Sequence, residues 1–286
     1  MTISALLIGI NTYKDAPLKG CVNDIIIARD ILVKKYNVPS NQIRLLIDNR
    51  ATKKEILIRM DWLKNSKSDI KLFWYSGHGA QFPNQNYTDD GEVDGYDEII
   101  CPYDFNWDGN WISDDIFSKY FNEIQGKMIA IFDSCHSGTM NKSSLNQEYF
   151  KPKSIPAPID ILARNRDLDL SNVLGLATGL DDLFNFNINI NVTVNNINNI
   201  NTKLINTPQE NLVMISGCQE NQTSADAYIA GRYQGALSYC IQKTLMNNLN
   251  ISYEDLYKSV CQELQNQRFN QIPNFVCSKS NTPFLQ

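Results

Sequence analysis

Short apolar runs rich in β-branched residues alternate with segments of helical period along most of the chain, which is the pattern of a largely parallel sheet covered by helices. Residues 4–10 (SALLIGI) read as a buried strand, followed by the turn-rich NTYKDAPLKG. Asn23 or Asp24 then caps a helix running towards Tyr36, with Ile27, Ile31 and Val33 among its inward candidates. Residues 43–47 form a second strand, and Thr52 with Glu55 makes a capping box that opens a helix to about Asn65. Residues 70–76 (IKLFWYS) read as a central strand ending at Gly77-His78-Gly79, and 127–132 (KMIAIF) as another, ending at Asp133-Ser134-Cys135-His136. Between them lie a carboxylate-rich loop, a short strand near 98–101 and a helix capped by Ser113. After residue 210 the pattern predicts a strand at 212–217, helices at about 234–247 and after Ser252, and a last strand near 275–277.

The alternation breaks from Met140 to about Glu210. This stretch holds a Pro-rich run (KPKSIPAPID) and an Asn-rich tract whose strict period-two alternation from Asn185 to Val194 is that of a hairpin. Asn-rich low complexity is more often a surface insertion, and the insertion is the favoured reading. The organisation expected is one domain over residues 1–286, with an insertion at about 141–210.

A chain of 286 residues with 43% apolar positions can bury a sizeable core. Twenty-six basic against 31 acidic side chains leave a net charge of -5, which disfavours nonspecific nucleic-acid binding and adhesion to anionic membranes. No apolar window approaches the ~18 residues of a spanning helix, and no basic segment precedes the N-terminal apolar run. The expectation is an unexported, cytoplasmic monomer. Its seven cysteines contain no C-x-x-C pair, and two histidines exclude a histidine-rich metal site.

The chemistry concentrates at two strand ends. In an open parallel sheet the carboxyl edge is where sites are built. A lone cysteine after an apolar strand is more often core than nucleophile, and a lone histidine more often a structural hydrogen-bonder. Here both types stand at successive strand ends among small residues, where packing alone would prefer bulky apolar ones. Cys135 is therefore the candidate nucleophile and His78 its base, with the N–H groups of Gly79 and Cys135 able to point at one carbonyl oxygen. His136 follows the cysteine directly and points elsewhere, as a wall residue. Neither Ser134 nor Ser137 lies in G-x-S-x-G, and a C-x5-R phosphatase loop fails because residue 141 is Asn.

YSGHGAQ (75–81) and DSCHSGT (133–139) resemble the histidine and cysteine motifs of metacaspases and orthocaspases. ALLIGINTY, LKGCVND, GEVDGYDEIICPYDF, ISDD, SGCQENQTSADA, GRYQGALSY and QIPNFVCS resemble further blocks of that family in the same order, and only about 141–210 lies outside the likeness. The resemblance implies a caspase-like α/β three-layer sandwich with a mostly parallel central sheet. It also implies a Cys135–His78 dyad and cleavage of protein or peptide substrates after Arg or Lys. Asp133, two residues before the cysteine, would attract a cationic P1 side chain and repel an acidic one. Asp24 matches the second acidic residue of the family's S1 pocket, although helix capping would equally explain it.

The same resemblance places calcium ligands at Asp97, Asp114 and Asp115, with calcium an activator and no cofactor required for the chemistry. A fourth family ligand falls on Lys142, which cannot coordinate. The run DDGEVDGYDE (89–98) packs six carboxylates into ten positions, a composition that suits either a solvated loop or a cation. Asp104, Asn106, Asp108, Gly109 and Asp115 have calcium-loop spacing, but no helix precedes them. Within the insertion, Arg164 and Arg166 are the candidate self-cleavage sites, preferred over Lys151 and Lys153 because prolines restrain the chain around the lysines. The alternative to a peptidase is a catalytically silent scaffold of the same fold that binds a partner.

Overall fold

The computed structural model describes residues 1–83, 96–136, 150–158, 161, 211–219, 222–277 and 281–286. In chain order the first elements are β1 (Ile3–Gly9), α1 (Cys21–Lys35), β2 (Ile43–Ile47), α2 (Lys53–Lys64) and β3 (Ile70–Ser76). They are followed by β4 (Gly79–Pro83), β5 (Tyr96–Ile100), β6 (Ile112–Ser113), α3 (Asp114–Asn122), β7 (Lys127–Asp133) and β8 (Phe150–Pro152). The last are β9 (Leu212–Ser216), β10 (Ala225–Ile229), β11 (Arg232–Gly235), α4 (Ala236–Asn247), α5 (Tyr253–Asn266) and β12 (Asn274–Cys277).

Six strands form the main sheet in the order β12-β9-β7-β3-β1-β2, all parallel except the antiparallel edge strand β12. Side chains alternate between its faces, as the pleat requires. Ala5, Leu7, Leu72, Trp74, Ile129 and Ile131 pack with α1, α4 and α5, whereas Leu6, Ile8, Phe73, Tyr75, Ala130 and Phe132 pack with α2 and α3. Both faces are covered, so the strands are apolar throughout, and the three-layer sandwich matches the architecture expected from the sequence. Register places Gly9 beside Ser76 and Ser76 beside Asp133, so β1, β3 and β7 end together at one edge.

Local signals explain most boundaries. Thr52 accepts a hydrogen bond from the Glu55 N–H at 3.3 Å and Ser252 accepts one from Asp255 N–H at 3.1 Å, and these caps start α2 and α5. Ser113 stands at the start of α3 without making that bond. The start of α1 differs from expectation: Gly20 holds the cap position, Asn23 donates to the Tyr233 carbonyl at 2.8 Å, and Asp24 is buried. Both side chains are drawn to partners on β11 and β3 rather than to their own helix end. The inward face of α1 is accordingly Ile25, Ala28, Ile31 and Leu32, with Val33 and Ile27 only half-buried.

Two small antiparallel sheets, β11-β10-β8 and β4-β5-β6, flank the carboxyl edge. Apart from β5, expected near 98–101, these short strands are not visible as hydrophobic runs, since they are brief and held by tertiary pairing. β8 lies inside the stretch expected to be a surface insertion. Its pairing with β10 draws residues 150–158 into the body of the protein, with Lys153 fully buried. The Asn-rich tract lies outside the described residues.

Replacing Thr52 by Ala removes the cap of α2 and is expected to lower the unfolding free energy by about 1 kcal/mol. Urea denaturation of the two proteins at the same pH measures it.

Candidate active site

The parallel strands deliver three acidic or nucleophilic residues to one edge. Asp133 ends β7 and Cys135 lies two residues on, both buried. Asp24 comes from the first turn of α1, where Ser76 donates to its Oδ2 at 2.7 Å and Gly235 N–H donates to both its oxygens at 3.0 Å. Asp133 accepts from the Ser224 hydroxyl at 2.7 Å and from Ser238 N–H at 2.9 Å. A Cβ on Gly235 would collide with the Asp133 carboxylate and the Lys153 ammonium, so only glycine lets the backbone approach this closely.

Lys153 fills the space between these acids. Its ammonium donates to Ser76 Oγ at 2.8 Å and to Asp24 Oδ2 at 3.4 Å, and it pairs with Asp133 Oδ2 at 3.1 Å. The side chains of Lys153, Asp24 and Asp133 are all 0% exposed. Burial opposes the lysine's charge, but Asp133 and its acidic neighbours outweigh it, and the net pKa direction is upwards, keeping Lys153 protonated. Burial pushes Asp24 up to about 7 against the pull of that ammonium. Asp226 on β10, also raised by burial, is a third acid around the lysine, held by Lys19 N–H at 2.6 Å.

The backbone of Lys153 is held as firmly as its side chain. Its carbonyl accepts from Gly79 N–H at 3.0 Å and from Cys135 N–H at 3.1 Å, and its own N–H donates to the Ser224 carbonyl at 2.9 Å. Before it, β8 pairs antiparallel with β10. After it, Ser154 bridges to Gly79 and Ile155 N–H donates to the Gly79 carbonyl at 2.9 Å. Residues 150–155 thus cross the cleft as an extended strand with Cys135 beneath the Lys153 carbonyl. Proline at 152 suits this path, because its fixed φ belongs to extended chain and an edge strand tolerates the missing N–H. The restraint that argued against Lys153 in the sequence therefore favours it in the structure. A Cβ on Gly79 would lie 2.7 Å from the Cys135 carbonyl oxygen, so this donor pair also depends on a glycine.

His78 is 2% exposed, and its Nε2 lies 2.7 Å from the Ala16 carbonyl oxygen. A carbonyl can only accept, so Nε2 carries the proton of the neutral ring and Nδ1 keeps its lone pair, buried without a hydrogen-bond partner. Burial first, and then the Lys153 ammonium, lower its pKa to about 4 against the raising effect of the Ala16 carbonyl. Two tyrosines fix the loop: Tyr75 donates to the His78 carbonyl at 2.7 Å, while Tyr13 accepts His78 N–H at 3.0 Å and sets its ring tilted against the imidazole, 4.6 Å between centroids. Cys135 Sγ lies 2.6 Å from the Gln222 carbonyl oxygen and 2.6 Å from Cys218 Sγ. His136 is turned away, with Nδ1 3.2 Å from the Ile99 carbonyl oxygen and Nε2 3.8 Å from Glu98.

The structure therefore gathers His78, Gly79, Cys135, Asp24 and Asp133 around one cleft. Asp97 lies on β5, whereas Asp114 and Asp115 open α3. Among the described residues no group of three His, Cys, Asp or Glu side chains could hold a metal ion. Lys142, Arg164 and Arg166 lie outside the described residues. Ser76, Ser224, Gly235, Asp226, Ala16, Cys218 and Lys153 are the site residues that sequence reasoning did not single out. Ser76, Cys218, Ser224, Asp226 and Gly235 lie within the blocks that carry the resemblance, and Lys153 ranks behind the arginines in the sequence reading.

Residues 3–285 match the family model described as caspase domain. The chain is 30% identical over 300 residues to Metacaspase-1 of Schizosaccharomyces pombe, covering 96% of this chain and 67% of that protein. It is 33% identical over 290 residues to Metacaspase-1B of Neurospora crassa, covering 96% and 66%. A crystal structure of a Geobacter sulfurreducens protein superposes with TM-score 0.62 at 22% identity, covering 96% of this chain and 92% of the other. Among the described residues no helix is long and apolar enough to cross a membrane.

The buried histidine makes stability pH-dependent. An unfolded histidine titrates near ~6.5, and His78 in the fold does so at about 4. The folded state binds fewer protons in that window, so the stability from neutral His78 is complete above the unfolded value and is lost as pH falls through the folded one. Up to about 3 kcal/mol is expected to go. Denaturation of Cys135→Ala at pH 7 and 4.5 measures this, and adding His78→Gln should shrink the difference.

Proposed function

The chain belongs to the caspase-domain peptidase family, and from that premise we propose that it is a cysteine endopeptidase that cleaves after lysine and arginine by a Cys135–His78 dyad. The single observation that carries the proposal is Lys153, with its ammonium between Asp24 and Asp133 and its carbonyl on the N–H groups of Gly79 and Cys135. That is where a substrate's P1 residue must sit.

In this mechanism Nδ1 of His78 takes the thiol proton of Cys135, and the sulfur attacks the carbonyl carbon. The developing oxyanion is held by Gly79 N–H and Cys135 N–H, which are already aimed at that oxygen. The His78 imidazolium gives its proton to the leaving amine, and a thioester remains on Cys135. Water then attacks the thioester, losing a proton to His78, and the acid product leaves as the thiol is restored. The Ala16 carbonyl takes the orienting part a carboxylate plays in other triads, since it commits Nε2–H and leaves Nδ1 for the cysteine. No cofactor takes part, and calcium enters the proposal only as an activator through Asp97, Asp114 and Asp115.

The first substrate in this reading is the chain itself, at the bond between Lys153 and Ser154 rather than after Arg164 or Arg166. Until that bond is cut, residues 150–155 occupy the cleft and exclude other substrates.

Wild type with a fluorogenic Lys- or Arg-terminated peptide is expected to turn over, with His136→Ala retaining much of that rate. Cys135→Ala and His78→Ala should each be inactive, and the double variant no worse. Inactivity of wild type, with calcium or with chelator, would support the scaffold reading instead. Asp133→Asn should lower kcat/KM for basic peptides at least ~30-fold, the loss expected when one partner of a buried charge pair is removed. An equal effect on an uncharged P1 substrate would sink the pocket assignment.

Intact-mass analysis is expected to find wild type as two associated fragments, one ending at Lys153 and one starting at Ser154, with Cys135→Ala as one chain. Cleavage that persists in Lys153→Ala would move the site elsewhere in the chain.

A further inference from the structure

Beside the cleft stands a second thiol that the hydrolytic cycle does not use. Cys218 follows β9, the strand next to β7, and its Sγ lies 2.6 Å from Cys135 Sγ. The contact is set by the backbone. Phe132 pairs with Ser216, and a Cβ on Gly217 would lie 2.8 Å from the Ser134 carbonyl oxygen, so the chain ends carrying the two cysteines run side by side. Adjacent strands lie ~5 Å apart, within the span that a disulfide bridges. Both sulfurs also face one acceptor, the Gln222 carbonyl oxygen, at 2.6 Å and 3.2 Å.

The hydrogen bond between the thiols has a direction. Cys218 S–H donates to Cys135 Sγ, and Cys135 S–H donates to the Gln222 carbonyl oxygen. The bond to Cys135 and burial both push the Cys218 thiol well up. Once the Lys153–Ser154 bond is cut, Cys135 is the sulfur that meets an oxidant first, because the dyad proposed above takes its proton and the thiolate is the reactive form. Cys218 is half-exposed, and Cys135 is covered by the segment that crosses the cleft.

We propose that Cys218 is a resolving thiol, so that a peroxide converts the Cys135–Cys218 pair into a disulfide that closes the active site reversibly. In the first step the Cys135 thiolate attacks one peroxide oxygen and the O–O bond breaks. Sulfur is oxidised to the sulfenic acid, and the peroxide is reduced to water or an alcohol once a proton is taken up. In the second step Cys218 sulfur attacks the Cys135 sulfenic sulfur, the S–O bond breaks, and hydroxide leaves with the Cys218 proton as water. A small dithiol reductant returns both thiols. The device protects the nucleophile, since a sulfenic acid with a partner at this distance is captured before a second peroxide carries it to the irreversible sulfinic acid.

The inference rests on Cys135 being the reactive thiol of the proposed peptidase, but the linked peptide reports its chemistry independently of activity. Wild type and Cys218→Ser are treated with hydrogen peroxide, alkylated and mapped by non-reducing peptide mass spectrometry. Wild type should yield a linked peptide containing Cys135 and Cys218, and dithiothreitol should return its peptidase activity to the untreated level. Cys218→Ser should carry Cys135 sulfinic or sulfonic acid and stay inactive after dithiothreitol. Equal sulfinic acid in the two proteins, with no linked peptide in wild type, overturns the proposal. If the serine variant does not fold, Cys218→Ala replaces it with the same readouts. A linked peptide from a protein that hydrolyses no basic peptide before treatment would overturn the peptidase reading while leaving the thiol pair standing.

Discussion

One lysine ammonium shared by two buried carboxylates sets the terms for everything around it. Asp24 and Asp133 come from different layers, one from a helix and the other from the sheet, and both are fully shielded from solvent. Two carboxylates buried side by side repel, and each loses its hydration, so without a cation such a pair must take up a proton or water. Lys153 supplies the cation, hydrogen-bonding to Ser76 and Asp24 and pairing with Asp133. The donors from Ser76, Ser224, Gly235 and Ser238 hold the acids in place whichever cation arrives. The same constraint explains the two glycines: any side chain at 235 would invade the pocket, and any at 79 would push the carbonyl donors off target.

The catalytic side of the cleft is organised by a different force. Tyr13 and Tyr75 are buried with their hydroxyls 3.1 Å apart, and between them they satisfy the His78 N–H and the His78 and Cys101 carbonyls. A loop that leaves the sheet would otherwise bury unpaired backbone, so the network removes that penalty and fixes the position of the ring. Only then does the Ala16 carbonyl select the tautomer. The surroundings thus leave Nδ1 of the histidine as the nitrogen without a hydrogen-bond partner.

The thiols are the polarisable part of this otherwise rigid edge. β7 and β9 are adjacent and parallel, so their ends bring the candidate nucleophile and Cys218 together as an outcome of strand order. One edge therefore holds three kinds of contact in close quarters: the ammonium at Asp24 and Asp133, a carbonyl at the N–H groups of Gly79 and Cys135, and sulfur against sulfur at Cys135 and Cys218.

The apolar strands β1, β2, β3 and β7, the cap at Thr52, and the placement of His78 and Cys135 at neighbouring strand ends were all legible along the chain. They follow from periodicity and from the rule that parallel sheets build sites at their carboxyl edge, both properties of local order. Asp24 was legible by resemblance alone, because a carboxylate near a helix start has an ordinary local explanation, and only the fold turned it inward. The strands β4, β8, β10 and β11 carry no hydrophobic signature, since their stability lies in pairing and not in the residues themselves. Lys153 was the least readable. In the sequence it is a lysine hemmed by prolines in a stretch of low similarity. Its role depends on two acids, 129 and 20 residues away, and on the three-dimensional route that brings them around one ammonium. Local pattern determined which elements form and which strand ends could carry chemistry, while tertiary packing decided which charge enters the pocket, because a buried charge is stabilised only by partners that the folded chain assembles.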